Sequence, residues 1–349
     1  MKQIEKGFSL VEMMIALALG LVLFTGVGHL VLASSRSWAL QDELARVQES
    51  ARLALDILGQ SISTAAYSGC PAQANLANLL YTETDNRQWM MHFDKGVLGI
   101  PSGNSVEQQL DSNAISEAII IHSVDSNQAA LVSGHNTGTA TVTLGESHGH
   151  DEGDLLALIS SDCGQVSIFR AGAATTNSVV THPAAASGSL YNCISQLQGN
   201  FSCHGSTVDS SNINHQGSRL APLQSYAFYL RESNNVPTLY RKLAGEYTSG
   251  NSINAEALVE GIEGLNIRYG VDSDNDGVAN RYMTAVEITP YSDEWRNIIT
   301  VKLELLVRSF TEVAPEAQAY FFAGQRVLPN DLYVRRSFMK TIKLRNRGL

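Results

Sequence analysis

One acidic side chain interrupts the apolar segment near the N-terminus. Apart from Glu12, residues 8–35 carry no Asp, Glu, Lys or Arg, and the segment is long enough to cross a bilayer as a helix. A carboxylate inside a membrane helix costs about 3 kcal/mol, so its presence favours a functional role. Glu12 could instead reach the lipid headgroups, because it lies near the end of the segment. We favour a role in which Glu12 neutralises a positive charge on a neighbouring molecule.

The position of Gly7 predicts where the chain is cut. A secretory signal peptide has its small-residue cleavage site after the apolar segment, which is then discarded. Here the small residue comes before that segment. Cleavage after Gly7 would retain the apolar helix and give Phe8 a free, positively charged α-amine, the group that Glu12 of a neighbouring subunit would neutralise.

Three acids and a glycine have the spacing of a calcium loop: Asp272, Asp274, Asp276 and Gly277. Alternate carboxylates converge on one ion, and the glycine permits the sharp turn. We expect a weak, structural Ca²⁺ site to which the Val278 carbonyl and Asn280 also contribute. Affinity should be low because the twelfth position is Met283 and not the bidentate Glu of an EF-hand. The alternative is an acidic hairpin turn without metal.

The four cysteines all follow the apolar segment. In an oxidising compartment they predict two disulfides, for which three connectivities are possible. Cys193 and Cys203 are close in sequence and flank a Gly-Asn pair, which favours a local bridge and leaves Cys70 with Cys163. A zinc site is the less favoured alternative, because the spacings include no C-x-x-C pair.

No enzymatic motif is evident in the sequence. It contains no nucleophile elbow, P-loop, dinucleotide fingerprint or H-E-x-x-H motif. A His-rich stretch at residues 148–154, with His135 nearby, could bind a transition metal, but its composition is that of an exposed turn. We therefore expect a non-enzymatic protein with no cofactor other than calcium.

A long helix must position the N-terminal residues. No proline occurs between Phe8 and Gly69, which predicts one continuous helix. In residues 38–66, apolar side chains recur every three or four positions, so this half is amphipathic. Its charged residues, among them Asp42, Glu43 and Arg46, are expected on the other faces.

Beyond residue 70 the pattern changes to short strands separated by Gly, Ser, Asn and Asp. The clearest predicted strands are residues 118–124, 139–144, 154–160, 226–231, 262–271, 298–307 and 334–344. Residues 72–114 and 172–220 are predicted to be long loops. The expected fold is α+β, with the long N-terminal helix, half membrane-spanning and half amphipathic, packed on a C-terminal antiparallel β-sheet domain.

The charge distribution argues against nucleic-acid binding. The 349-residue chain has a net charge of −10, whereas nucleic-acid-binding domains are usually basic. Basic residues do crowd the C-terminus, but apolar residues alternate among them, which predicts a last strand with a charged solvent face. These basic residues are Arg335, Arg336, Lys340, Lys343, Arg345 and Arg347.

The N-terminal sequence Gly7-Phe-Ser-Leu-Val-Glu12 resembles the class III signal of type IV pilins and type II secretion pseudopilins. In that family, prepilin peptidase cuts after the glycine and N-methylates the next residue. The glutamate equivalent to Glu12 sets the register of the subunit during assembly. The resemblance implies these roles for Gly7, Phe8 and Glu12. Short patches along the chain are similar to PilW-type minor pilins, including Ala66-Tyr-Ser-Gly-Cys70, Ser161-Asp-Cys163 and Arg335-Arg-Ser-Phe338.

The resemblance implies a minor pilin that takes part in initiating type IV pilus assembly, near the pilus tip. Implied partners are other minor pilins and the major pilin through the N-terminal helix, prepilin peptidase, the inner-membrane assembly platform and a tip adhesin. The implied location is the inner membrane, with a single pass and a periplasmic domain, and then the pilus. A type II secretion pseudopilin is the alternative, and a membrane-tethered periplasmic hydrolase a less favoured one.

The expected organisation has four parts. Residues 1–7 are the leader, residues 8–34 the transmembrane helix and residues 35–67 the amphipathic half of the same helix. Residues 68–349 form the periplasmic β-rich domain.

Overall fold

A single α-helix of 54 residues, α1 (Leu10–Ser63), forms the N-terminal part of the protein. The computed structural model describes residues 9–70, 74–83, 89, 91–103, 110–188, 190–203, 210–211, 214–244 and 255–347. The helix is uninterrupted, as the lack of proline predicts, but it ends three residues before the predicted end. Ala66 adopts a φ of 60°, a left-handed conformation that a helix does not continue through, and its N–H donates to the carbonyl of His122 (2.8 Å).

The two halves of α1 have different surroundings. Every large apolar side chain from Leu10 to Leu32 is exposed. From residue 47 onward one face of the helix is buried, with the spacing of three or four residues that an amphipathic helix requires: Val47, Ala51, Ala54, Leu58 and Ile62. Glu43 lies on this buried face, which corrects the prediction that it faces elsewhere.

The β-strands of the described residues are numbered in chain order. The first eleven are β1 (Asn75–Asn78), β2 (Leu80–Tyr81), β3 (Val97–Ile100), β4 (Ala118–Val124), β5 (Ala130–Asn136), β6 (Thr141–Leu144), β7 (Leu155–Ile159), β8 (Gln165–Arg170), β9 (Val179–Thr181), β10 (Tyr191–Asn192) and β11 (Gln198–Gly199).

The other strands are β12 (Phe201–Ser202), β13 (Ser210–Ser211), β14 (Arg219–Ser233), β15 (Val236–Ala244), β16 (Ala255–Glu260), β17 (Ile262–Val271), β18 (Arg281–Met283), β19 (Ile298–Glu312), β20 (Tyr320–Phe322), β21 (Gln325–Val327) and β22 (Tyr333–Lys343). Short 3₁₀-helices span Phe93–Lys95, Ser126–Gln128 and Asp293–Asn297.

A twelve-stranded sheet is organised around β14. The first residues of β14 pair with β5 and β7, and the later ones pair with β4 and β15. The strand order is β12-β1-β8-β7-β14-β5-β6-β9, and β3 and β16 extend the sheet beside β4 and β15. These pairings are antiparallel as predicted, except that β1 runs parallel to both β8 and β12.

A separate four-stranded antiparallel sheet, in the order β18-β17-β19-β22, packs against α1. Alternate residues of β19 are fully buried, as expected for a strand with one face on the core: Val301, Leu303, Leu305 and Val307. The main core lies between this sheet, the inner face of α1 and the strands around β4 and β14. A smaller core lies beneath β5–β9 and the start of β14.

The predicted long loops are only partly correct. Residues 72–114 contain β1, β2 and β3, and residues 172–220 contain β9 to β13 and the first residues of β14. Most of these strands have two to four residues, too few to show a hydrophobic period. They form because distant segments pair, as Leu80 does with Asn192.

Four of the six C-terminal basic residues lie in the predicted last strand, β22, whereas Arg345 and Arg347 follow it, and not all six face solvent. Arg335 is 7% exposed, and its guanidinium donates to both Glu263 and Asp331. Arg347 donates to the backbone carbonyls of Asp94 and Arg296. The prediction of a wholly solvated charged face is therefore wrong for these two arginines.

Candidate assembly site

The first half of α1 presents an uncovered apolar surface. Its most apolar 18-residue window has a mean hydropathy of 2.3, and none of that window is buried. Soluble proteins rarely expose an apolar surface of this extent, and a helix of this length and composition is sufficient to cross a membrane. No residue in the described part of the chain covers this half, so it is available to lipid or to other molecules.

Glu12 lies in the first turn of this exposed helix. One of its carboxylate oxygens accepts a hydrogen bond from the backbone N–H of Ser9 (3.0 Å), the residue that caps the helix. A carboxylate here also opposes the positive end of the helix dipole. A carboxylate has about four acceptor positions, so this one can accept a further donor. Gly7 and Phe8, the predicted processing residues, lie outside the described residues.

Glu43 joins the buried half of α1 to the β domain. Its carboxylate accepts hydrogen bonds from the backbone N–H groups of Phe310 (2.7 Å) and Thr311 (3.4 Å). The register between β19 and β22 shifts between Arg308 and Glu312, so these N–H groups do not pair with β22. The signal for this contact was present in the sequence, because Glu43 lies four residues before Val47, in line with the apolar face.

A second set of contacts holds the other end of α1. The Lys340 ammonium of β22 donates to the Leu55 carbonyl (3.2 Å) and to the Asp56 carboxylate (3.3 Å). A Cβ at Gly59 would lie 2.9 Å from the Lys340 nitrogen, so the glycine leaves room for that side chain. The backbone N–H of Arg345 also donates to the Ser63 carbonyl (3.3 Å). The β domain is thus bonded to α1 near both ends of the amphipathic half.

The predicted calcium loop connects β17 to β18. Carboxylate oxygens of Asp272, Asp274 and Asp276 lie within 4.8 Å of one another. Asp272 is only 3% exposed, and its two oxygens accept the backbone N–H groups of Asp276 (3.2 Å) and Gly277 (2.8 Å). Burial raises the pKa of Asp272, but these backbone hydrogen bonds outweigh it and hold the pKa below its ordinary value. Asp272 therefore keeps its negative charge near neutral pH.

The other two predicted ligands have different positions in this loop. The Asn280 side chain accepts the N–H of Ser273 (2.7 Å) and donates to Asp274 (3.2 Å), so it closes the loop across its base. The Val278 N–H donates to Asp276 (2.8 Å). The cluster of carboxylate oxygens suits a hard cation such as Ca²⁺, and the ligand roles of Val278 and Asn280 stay predictions.

The structure contains two disulfides, as predicted. Cys70 pairs with Cys163 and links the turn after α1 to the turn between β7 and β8. Cys193 pairs with Cys203, ten residues away. These are the same pairs that the sequence analysis favoured.

Three histidines that are distant in sequence meet beside the smaller core. The Nε2 atoms of His135 and His182 are 3.3 Å apart, and the His215 backbone N–H donates to His135 Nδ1 (3.3 Å). Because His135 Nδ1 accepts, we assign its proton to Nε2, which then donates to His182. Burial, followed by the nearby His135, lowers the pKa of His182 to about 3 and that of His215 to about 4.

The predicted His-rich turn does not join this cluster. His148 and His150 stack on each other, with ring centroids 5.1 Å apart. The His150 Nδ1 atom lies 3.8 Å from a carboxylate oxygen of Asp154. His135 was predicted to lie near these residues, whereas the structure places it with His182 and His215.

Two family models match the chain, one near each end. Residues 227–346 match the model of the type IV pilus-assembly protein W (PilW) family, and residues 2–28 match the prokaryotic N-terminal methylation motif. No curated protein and no solved structure matches the chain.

The PilW match begins within β14 and includes the four-stranded sheet and the acidic loop. The methylation motif includes Glu12 and much of the exposed half of α1. All four cysteines and the three clustered histidines lie between the two matched segments. The prepilin motif and the exposed apolar helix indicate a membrane-anchored protein, and the PilW family is a component of pilus assembly rather than a known enzyme family. Together, the two matches and the long helix that leads into a β domain make the chain similar to PilW-like pilins associated with the type IV pilus.

Proposed function

We propose that this protein is a minor pilin that helps to initiate type IV pilus assembly near the tip. Prepilin peptidase removes residues 1–7, and the methylated Phe8 becomes the mature N-terminus. The β domain lies in the periplasm until the subunit enters the pilus. The protein acts by assembly and not by catalysis, and its partners are other pilins and the inner-membrane assembly platform.

One observation carries this proposal. The apolar half of α1 is fully exposed, contains a single acid at Glu12, and continues without interruption into the helix that bears the β domain. A helix of this kind can leave the bilayer only if other apolar surfaces replace lipid. A bundle of similar helices provides those surfaces, and Glu12 can accept the Phe8 amine of a neighbouring subunit.

Replacement of Glu12 tests this role directly. We expect Glu12→Ala to insert into the membrane normally, because removal of a carboxylate makes the segment more apolar. The variant should nevertheless be lost from sheared pili and should no longer co-purify with other pilins. Thr25→Val is the matched control, because it removes a polar group from the same helix without removing a charge. Normal piliation by the Glu12 variant would contradict the pairing role.

Processing has its own test. Intact-mass and N-terminal peptide analysis of the membrane-extracted protein should find Phe8 as a methylated N-terminus. A mature N-terminus beyond residue 33 would mean that the apolar helix is discarded, and the pilin proposal would then be wrong.

A further inference from the structure

A groove runs along one side of the amphipathic half of α1. Two cavities of about 460 and 550 Å³ follow one another between the helix and strands β4, β14, β15 and β16. Six of the helix residues that line them are three or four positions apart: Arg46, Glu49, Leu53, Ile57, Gln60 and Thr64. This spacing places them on a single face, which is about 27 Å long at the usual helical rise.

The groove has an apolar centre. Leu53, which lines the smaller cavity, is 49% exposed although it lies in the half of α1 that packs on the β domain. Ile57 follows one turn later, and Tyr226 and Leu258 provide partly buried apolar surface from the sheet wall. Contact with a second molecule would remove this apolar surface from water.

The rim of the groove is acidic at its membrane-proximal end. Glu49 and Glu260 line the first cavity, and both are exposed. Neither forms an ion pair with any residue in the described part of the chain. Arg46, on the same wall, is already paired with Asp42 (3.1 Å). The groove therefore complements a partner that carries a Lys or Arg beside small or apolar side chains.

We propose that this groove holds the amphipathic half of the N-terminal helix of a different pilin subunit. The inference rests on the proposed function, because it assumes that the neighbours of this chain are anchored in the same bilayer. A helix anchored there leaves the membrane in the same direction as α1 and runs beside it at the level of the groove. The face that lines the groove is also continuous with the exposed membrane half of α1.

A second copy of this chain fits the groove less well. The exposed charges of its own amphipathic half balance, with Arg36, Arg46 and Arg52 against Asp42, Glu49 and Asp56. A net-neutral helix offers little attraction to the unpaired Glu49 and Glu260. A helix with a basic face at this level is the better complement.

Photo-crosslinking in cells that assemble pili tests the groove. We would place p-benzoylphenylalanine at Leu53 or at Gln60, which lie on the groove face, in the full-length chain. Gln48 is the matched control: it is exposed and lies about 140° around the helix from Leu53. Mass spectrometry should find adducts from Leu53 and Gln60 with the N-terminal helix of another pilin, and no such adduct from Gln48.

The charge of the rim is tested in the same assay. The double variant Glu49→Gln, Glu260→Gln should lower the crosslink yield at Leu53 about two- to fivefold, as expected for the loss of exposed ion pairs. Glu152→Gln, which removes an exposed acid that lines neither cavity, should leave the yield unchanged.

The outcomes separate the two proposals. Adducts with lipid, with a second copy, or with the β domain of a neighbour would overturn the groove assignment, as would equal yields at Leu53 and Gln48. In each of those cases the presence of the chain in sheared pili would leave the pilin function intact. Absence of the wild-type chain from pili would instead contradict the proposed function.

Discussion

Glu43 connects α1 to the β domain at the membrane-proximal end of the amphipathic half of the helix. It is 7% exposed and accepts two backbone N–H groups that β22 does not satisfy. Its spacing of four residues from Val47 placed it in line with the apolar face, although we predicted it on another face. Its partners could not be predicted, because they are produced by a register shift more than 260 residues away in the chain.

Truncation of Glu43 should therefore destabilise the domain. We expect Glu43→Ala to lower the free energy of unfolding by about 1–3 kcal/mol, because two backbone donors lose their acceptor. Asp42→Ala removes a neighbouring exposed acid and should cost less than about 1 kcal/mol. Urea unfolding of residues 35–349 measures both. Equal effects from the two substitutions would contradict the anchoring role.

The three clustered histidines predict a dependence on pH. In the unfolded chain a histidine binds its proton below about pH 6.5, whereas folded His182 and His215 have pKa values of about 3 and 4. Between these limits the unfolded state binds more protons, so stability falls as the pH is lowered from 6.5 towards 4. The expected loss is about 1–3 kcal/mol per buried imidazole at pH 4.

Hydrogen exchange can locate this effect. Amides of β9, next to His182, should lose protection between pH 6.5 and pH 4 by more than those of β19, after correction for intrinsic rates. His182→Phe should make the dependence in β9 shallower. If β9 and β19 respond alike, the cluster is not the cause of the change.

At the scale of elements, the acidic loop between β17 and β18 is the best candidate for ligand control of stability. We propose that Asp272, Asp274 and Asp276 bind one Ca²⁺ with a Kd in the range of about 10⁻⁴–10⁻³ M. Binding to the folded state alone should raise the melting temperature in millimolar Ca²⁺ relative to EDTA. Asp274→Ala should abolish the increase.

Asp162→Ala is the control for the calcium experiment, because Asp162 also lies in an exposed turn. This variant should keep the full calcium response. The same melting temperature for wild type in Ca²⁺ and in EDTA would leave a plain acidic turn as the better description.

Strands whose own sequence has a clear strand pattern could be predicted. Strands that form only by pairing with a segment far away in the sequence could not. Strands β4 and β17 have the predicted bounds. β4 is rich in β-branched residues, and in β17 the apolar residues Leu265, Ile267, Tyr269 and Val271 alternate with other residues. The two-residue strands β2 and β10 depend on each other across more than a hundred residues. The histidine cluster likewise joins positions 47 and 80 residues apart, and no local spacing marks such a meeting.

At the scale of the whole molecule, the Cys70–Cys163 disulfide connects the end of α1 to the part of the large sheet that contains β7 and β8. Its sequence separation is 93, against 10 for Cys193–Cys203. Loop-closure entropy then predicts a stabilisation of about 4–5 kcal/mol for the first bridge and about 2–3 kcal/mol for the second.

Paired serine substitutions test this difference. The variant with Cys70→Ser and Cys163→Ser should unfold at lower urea concentration than the variant with Cys193→Ser and Cys203→Ser. Non-reducing peptide mapping of the wild type should recover the two bridged peptides. The opposite order of stability would mean that native-state contacts, and not chain closure, dominate the effect of these bridges.

The anchoring of α1 at both ends has a consequence for how the subunit sits among its neighbours. Suppose that α1 moves by one residue, about 1.5 Å, along an adjacent helix. To keep the same side-chain contacts with that helix, α1 must also rotate by about 100° about its own axis. Glu43 at one end and Lys340 at the other compel the β domain to turn with the helix. In a helical assembly, the position of the subunit along the axis and the direction in which its β domain faces are therefore coupled. A subunit inserted at the wrong depth would present the wrong side of its domain to everything around it.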